Sequence, residues 1–208
     1  MTPAHPSLAA FGASLTAITL AELGDKTFFM ALILAARHRA RHVFIGAFAA
    51  LTAVTLISLG LGYGLRELLP ASVVPWLAAV LFLVFGVKLL LDARGMGADE
   101  AEDEEEEAEK AVSEAESRGR ITGAGAVIWE AFALVFVAEL GDRTQFATIF
   151  LATAPAFTFA GLLAGTLLGH ALPVALVVIF WRGLARARLT PAEPAAEKTA
   201  RRPETARR

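Results

Sequence analysis

Two nine-residue segments place carboxylates, a cation and a hydroxyl in the same order inside apolar surroundings. They are Ala21-Glu22-Leu23-Gly24-Asp25-Lys26-Thr27-Phe28-Phe29 and Ala138-Glu139-Leu140-Gly141-Asp142-Arg143-Thr144-Gln145-Phe146. Read as helix, the i, i+3 spacing puts Glu22 and Asp25 on one face, and Glu139 and Asp142 likewise. An ionisable group at membrane depth costs about 3 kcal/mol or more, so its default reading is functional. One buried Glu–Lys pair can serve as packing glue between helices, but two copies of the same polar box argue for a site. Four converging carboxylates would form an all-oxygen cage suited to hard divalent cations such as Mn²⁺, Ca²⁺ or Mg²⁺. Thr27 and Thr144 offer hydroxyl oxygens and Gln145 an amide carbonyl. Neither box contains Cys or Met, which argues against Cu(I) and thiolate-bound Zn²⁺. Gly24 and Gly141 leave backbone carbonyls open to an ion wherever the helix unwinds. Lys26 and Arg143, four residues after the glutamates, are the expected counter-ions of the empty site. Protons and cations would compete for the same oxygens, which is the physical basis of cation/proton exchange.

Such a site needs elements that hold it at depth. A hydrophobic fraction of 56% and a mean hydropathy of +0.57 over 208 residues exceed those of an ordinary soluble domain. The apolar mass must therefore be covered by lipid. A span takes about 20 apolar residues, and five stretches qualify: 8–36, 43–65, 73–91, 123–152 and 157–181. Each is too long for a strand, and five strands cannot close a barrel. The expected fold is all-α and polytopic, with five transmembrane helices. Gly46, Gly60, Gly62 and Gly64, with Gly161, Gly165 and Gly169, read as close-packing positions. With no cysteine, the chain has no disulfide framework and no thiolate chemistry. Residues 1–10 lack the basic start of a cleavable leader, so this end is read as mature.

Charge is segregated along the chain. Eleven of the 21 acids lie between Asp99 and Glu116, and eight of the 19 basic residues follow Trp181. The stretch 99–109, with nine acids in eleven residues, reads as a solvated, self-repelling linker; a cation-concentrating or sensing segment is the alternative. Basic loops (Arg37, Arg39, Arg41; Lys88, Arg94, Lys110, Arg118, Arg120; Arg182, Arg186, Arg188) alternate with loops poor in Lys and Arg. The basic side is expected to be cytoplasmic, so the amino terminus lies outside an inner (plasma) membrane and the acidic linker and tail lie inside the cell.

The likeness between the two boxes extends further along the chain. Ala35 aligns with Ala152, and after a two-residue deletion Phe44, Gly46 and Ala49 align with Phe159, Gly161 and Ala164. Three spans separate the boxes, so the second copy enters with opposite polarity. That is an inverted-topology repeat, whose site is expected at the midplane between halves. The organisation read from the chain is a first three-helix repeat over 1–95 and an acidic cytoplasmic linker over 96–120. A second repeat with two helices over 121–181 and a basic, disordered tail over 182–208 complete it. Repeat symmetry asks for a sixth helix after Trp181, and the 27-residue Ala/Arg/Pro/Glu tail does not supply one. The expectation is a truncated or frameshifted six-helix ancestor, or a protein completed as a homodimer.

The doubled Glu-x-Gly-Asp-(Lys/Arg)-(Thr/Ser) motif around an acidic central loop resembles the Gdt1 family (uncharacterised protein family 0016, transmembrane protein 165-like) over about residues 8–181. The resemblance implies six core helices in two inverted halves and transport of Mn²⁺ or Ca²⁺ in exchange for protons. Bacterial relatives resemble manganese exporters. The family's motif acids fall on Glu22, Asp25, Glu139 and Asp142. The expected protein is then a secondary transporter that exports Mn²⁺, with Ca²⁺ the other candidate. Its partners would be divalent cations, protons and the lipid bilayer, with no cofactor and no nucleic acid.

Two further polar residues lie inside spans. His170 is either a hydrogen-bonded packing residue or a proton relay. Glu130, nine residues before Glu139, is out of phase with the site face and reads as an access-path or interface acid. No phosphate-binding loop is present, which argues against ATP drive. An intramembrane aspartyl protease would need Gly-x-Gly-Asp and Tyr-Asp. Here Glu stands three residues before each Asp, and Tyr63 is followed by Gly64, so no enzyme is expected. A non-transporting cation sensor or accessory subunit is the other rival, and a flux assay separates it from a transporter.

Overall fold

The computed structural model describes residues 5–70, 72–74, 76, 79–80, 83–84, 86–87, 98–117 and 123–189. Seven helices are bounded within them: α1 (Pro6–Glu22), α2 (Lys26–Arg37), α3 (Ala40–Leu68), α4 (Ala98–Ser117), α5 (Ala124–Glu139), α6 (Arg143–Thr153) and α7 (Phe159–Leu189). No strand occurs among the described residues. Only part of the expected span 73–91 is described, and positions 74, 76, 79–80, 83–84 and 86–87 are helical. The tail from residue 190 lies outside the described residues, but α7 continues past Trp181 to Leu189, further than the 157–181 span expected.

Two helices, α3 and residues 159–177 of α7, are each long and apolar enough to cross a membrane. The pair α5 and α6, bent by 68° at its break, is long and apolar enough only when taken together, as one broken span or a re-entrant turn. The expected unbroken helices over 8–36 and 123–152 are therefore each replaced by a broken pair. The cause is local. Gly24 has φ +79 and Gly141 φ +88, in the left-handed region where glycine carries no Cβ penalty. Leu23 and Leu140 before them, and Asp25 and Asp142 after them, are extended. One turn bond bridges each break, from Asp25 N to Glu22 O at 3.4 Å and from Asp142 N to Glu139 O at 3.2 Å.

The two broken pairs are crossed by the long helices. α7 lies along α1, and α3 along α5 and α6. Small residues set the approach. A Cβ on Gly62 would collide with the Ile149 carbonyl and Ala152, and one on Gly165 with Ser14 and the Phe11 carbonyl. Backbones come this close when dispersion, with no hydrophobic drive from lipid, holds helices together. A central core joins Ala47, Ala50 and Leu51 of α3 with Val135 of α5 and Val174 and Val177 of α7.

The acidic segment departs most from expectation. Residues 98–117 form a 20-residue helix seated on the bundle, not a solvated linker. Ala108 and Val112 are fully buried against Met30, Leu34, Val43, Val127 and Ala131. The ion pairs Lys26–Glu107 at 2.8 Å and Arg37–Glu116 at 2.6 Å, with a His38–Glu116 contact at 3.1 Å, hold it to α2 and the residue after it. The apolar residues fall at helical spacing and give one narrow greasy stripe, which offsets the self-repulsion of the other faces.

Candidate functional site

The two breaks bring their polar residues together. Glu139 ends α5 and is fully buried. Its Oε1 accepts a hydrogen bond from Thr27 Oγ1 at 2.6 Å and its Oε2 one from Thr144 Oγ1 at 2.9 Å. Thr27 belongs to the first turn of α2 and Thr144 to the first turn of α6, so the carboxylate takes one hydroxyl from each box. Asp25 and Asp142 are the N-caps of α2 and α6. Asp142 accepts from the Thr144 amide at 3.2 Å, an ordinary cap. Asp25 Oδ1 instead takes the Arg143 guanidinium at 2.6 Å, an ion pair between the two boxes. Glu22 ends α1 and is 1% exposed, with Oε1 3.0 Å from Nδ1 of His170, itself 3% exposed. Neither of those two atoms is aligned for a hydrogen bond, and neither has another protein partner. The charges of Glu22, Asp25, Glu139 and Asp142 act on one another across the gap.

Several expectations need revision. Glu22 and Asp25 do not share a helix face, because the chain changes helix between them; the same holds for Glu139 and Asp142. They converge through the break instead. Lys26, expected as a counter-ion, turns outward to Glu107. Arg143 does act as a counter-ion, but to the aspartate of the other box. The Gln145 carbonyl is committed to the Gly141 amide at 2.6 Å, where it braces the break. His170 joins the site at Glu22. Glu130 stands apart, buried with both carboxylate oxygens unpartnered, within reach of the charge of Glu116. Among the described residues no group of three or more His, Asp or Glu side chains is arranged as a formed metal cage. Hydroxyls cover both oxygens of Glu139 and a guanidinium covers Oδ1 of Asp25, whereas Glu22 Oε1 is unpartnered.

Glu104 and Glu107 of α4 were not anticipated near the site. Glu104 is half-buried and feels the charges of Asp25 and Arg143. A signal for this was present in the chain: Ala108 with Ala111 and Val112, and those two with Ala115, lie three or four residues apart where the acidic run ends.

Long apolar helices, with two facing backbone breaks at buried carboxylates, are the build of a membrane transporter of cations. The family described as Divalent cation/proton antiporter GDT1 matches residues 10–97 and 127–192, and the chain belongs to it. The GDT1-like protein sll0615 of Synechocystis sp. (strain ATCC 27184 / PCC 6803 / Kazusa) is 44% identical over 173 residues, covering 83% of this chain and 82% of the relative. Protein PAM71, chloroplastic, of Arabidopsis thaliana is 43% identical over 180 residues, 81% of this chain but only 48% of its own length. GDT1-like protein 3 of Oryza sativa subsp. indica is 38% identical over 175 residues, 80% of this chain and 61% of the relative. No solved structure matches the chain significantly. The family is one of transporters and not of enzymes, with divalent cations and protons as its substrates.

Proposed function

We propose that this chain exports Mn²⁺, with Ca²⁺ as the alternative cation, across a plasma membrane in exchange for protons. The observation that carries the reading is Glu139, a fully buried carboxylate that takes one hydroxyl from each box. Glu22, Asp25, Glu139 and Asp142 are the proposed cation ligands, with the hydroxyls of Thr27 and Thr144 turning from donors into ligands when the ion enters. A divalent ion and protons are alternative ways of neutralising the same buried acids, so loading one expels the other. Arg143 neutralises Asp25 in the empty site, and His170 beside Glu22 would pass a proton.

The proposed architecture is an inverted repeat, α1–α3 against α5–α7. The crossed packing supports it, since each half's long helix lies on the other half's broken pair. The basic loops support a cytoplasmic position for α4. The test is flux in proteoliposomes under an imposed pH gradient, with Mn²⁺, Ca²⁺ and Mg²⁺ compared. Proton-driven Mn²⁺ movement that Glu139→Gln abolishes is expected. Equal flux in protein-free vesicles would overturn the reading.

A further inference from the structure

Each box carries one cation directly after its aspartate, and the two are held differently. Arg143 sits on Asp25 at 2.6 Å. Lys26 sits on Glu107 of α4 at 2.8 Å. The acidic helix therefore already holds one of the two cations away from the membrane carboxylates. It is firmly seated while doing so, through buried Ala108 and Val112 and the Arg37–Glu116 pair. Glu104, Ala108 and Val112 are spaced i, i+4, i+8, so they share one helix face. Seating that face turns Glu104 inward. It forms no ion pair among the described residues. Burial and the charge of Asp25 hold its carboxyl above the usual range, against the pull of Arg143.

The guanidinium on Asp25 Oδ1 repels a divalent ion that approaches the same carboxylate. Arginine does not deprotonate, so its charge must move, to water or to another carboxylate. We infer that Glu104 is a positioning residue that receives Arg143 when a cation occupies Asp25, as Glu107 already receives Lys26. When the ion leaves, Arg143 returns and neutralises Asp25. The inference rests on the proposed exchange function and deepens it, making the acidic helix a working part of the site.

The experiment is a double-mutant cycle on the purified full chain, read by Mn²⁺ binding calorimetry and by flux. Glu104→Gln should weaken Mn²⁺ binding about tenfold and raise KM to match, with kcat within about twofold. Glu104→Asp should recover most of the affinity. Glu106→Gln, which removes an exposed acid paired with Lys110, should behave as wild type. In an Arg143→Gln background, or Arg143→Met if the first does not fold, Glu104→Gln should change affinity by less than about twofold, because no guanidinium needs a place. Equal losses in both backgrounds, or no loss in the first, would overturn the inference. Mn²⁺ binding without flux in the wild type would overturn the exchange reading alone, and the binding cycle would still decide the role of Glu104.

Discussion

Glu139 has every carboxylate oxygen satisfied by a hydroxyl, although it lies in an apolar helix end with no cation on it. A hydroxyl can donate to a carboxylate or offer its lone pairs to an ion, so Thr27 and Thr144 support both the empty and the loaded state. Glu139→Gln should reduce Mn²⁺ flux to background while the protein still inserts and elutes as a single species from size exclusion. Thr27→Val keeps the shape but leaves Glu139 Oε1 without its donor. The same change removes a proposed oxygen ligand of the ion, and a lost polar contact of this kind costs about 1–3 kcal/mol, so Mn²⁺ affinity should fall about tenfold, measured by calorimetry.

At the scale of elements, the helix breaks and the close crossings do different work. The breaks aim backbone and carboxylates inward, and the glycines let α3 and α7 approach close enough to shut the gap. Gly62→Leu would drive a side chain into the Ile149 carbonyl, whereas Gly60 has open space around it. Overpacking costs about 1–3 kcal/mol, so Gly62→Leu should lower the melting temperature in detergent and Gly60→Leu should not. The seat of α4 is tested by Val112→Asp. Burying a charge where Val112 packs should free the helix, and limited proteolysis within 98–117 should speed up about tenfold. Unchanged proteolysis would mean that the ion pairs alone hold it.

For the whole molecule, exchange predicts a pH dependence of one sign. Metal ligands must be deprotonated, so apparent Mn²⁺ affinity should weaken as pH falls. An affinity flat between about pH 5.5 and 8 would argue against shared ligands. The acidic helix adds a separate dependence. The hydrogen bond and charge of Lys26 hold the Glu107 carboxyl below its usual range. Its folded value is thus depressed, so the pair's contribution is present at neutral pH and is lost as pH falls through that value. Protease sensitivity of α4 should rise below about pH 4, and high salt should raise it at neutral pH because the pair is exposed.

How much of this was legible in the chain differs between residues. That the two boxes would face each other was readable, because acids in an apolar run are costly enough to announce themselves, and the chain carries the box twice. The helical class followed from hydropathy for the same reason: each apolar stretch exceeds any strand. The partners of each site residue were not readable. Lys26 and Arg143 occupy equivalent positions, yet one faces α4 and the other Asp25. Gly24 and Gly141 marked where the chain could unwind, but helical spacing still suggested shared faces that the left-handed turns abolish. The acidic segment looked self-repelling because charge count is a local property, whereas its seat depends on a stripe of small apolar residues meeting one on α2 and α5. Composition and spacing therefore determined the helical class and which polar groups are set within apolar segments. Only the tertiary structure decided which carboxylate meets which cation, because that depends on contacts between residues far apart in the chain.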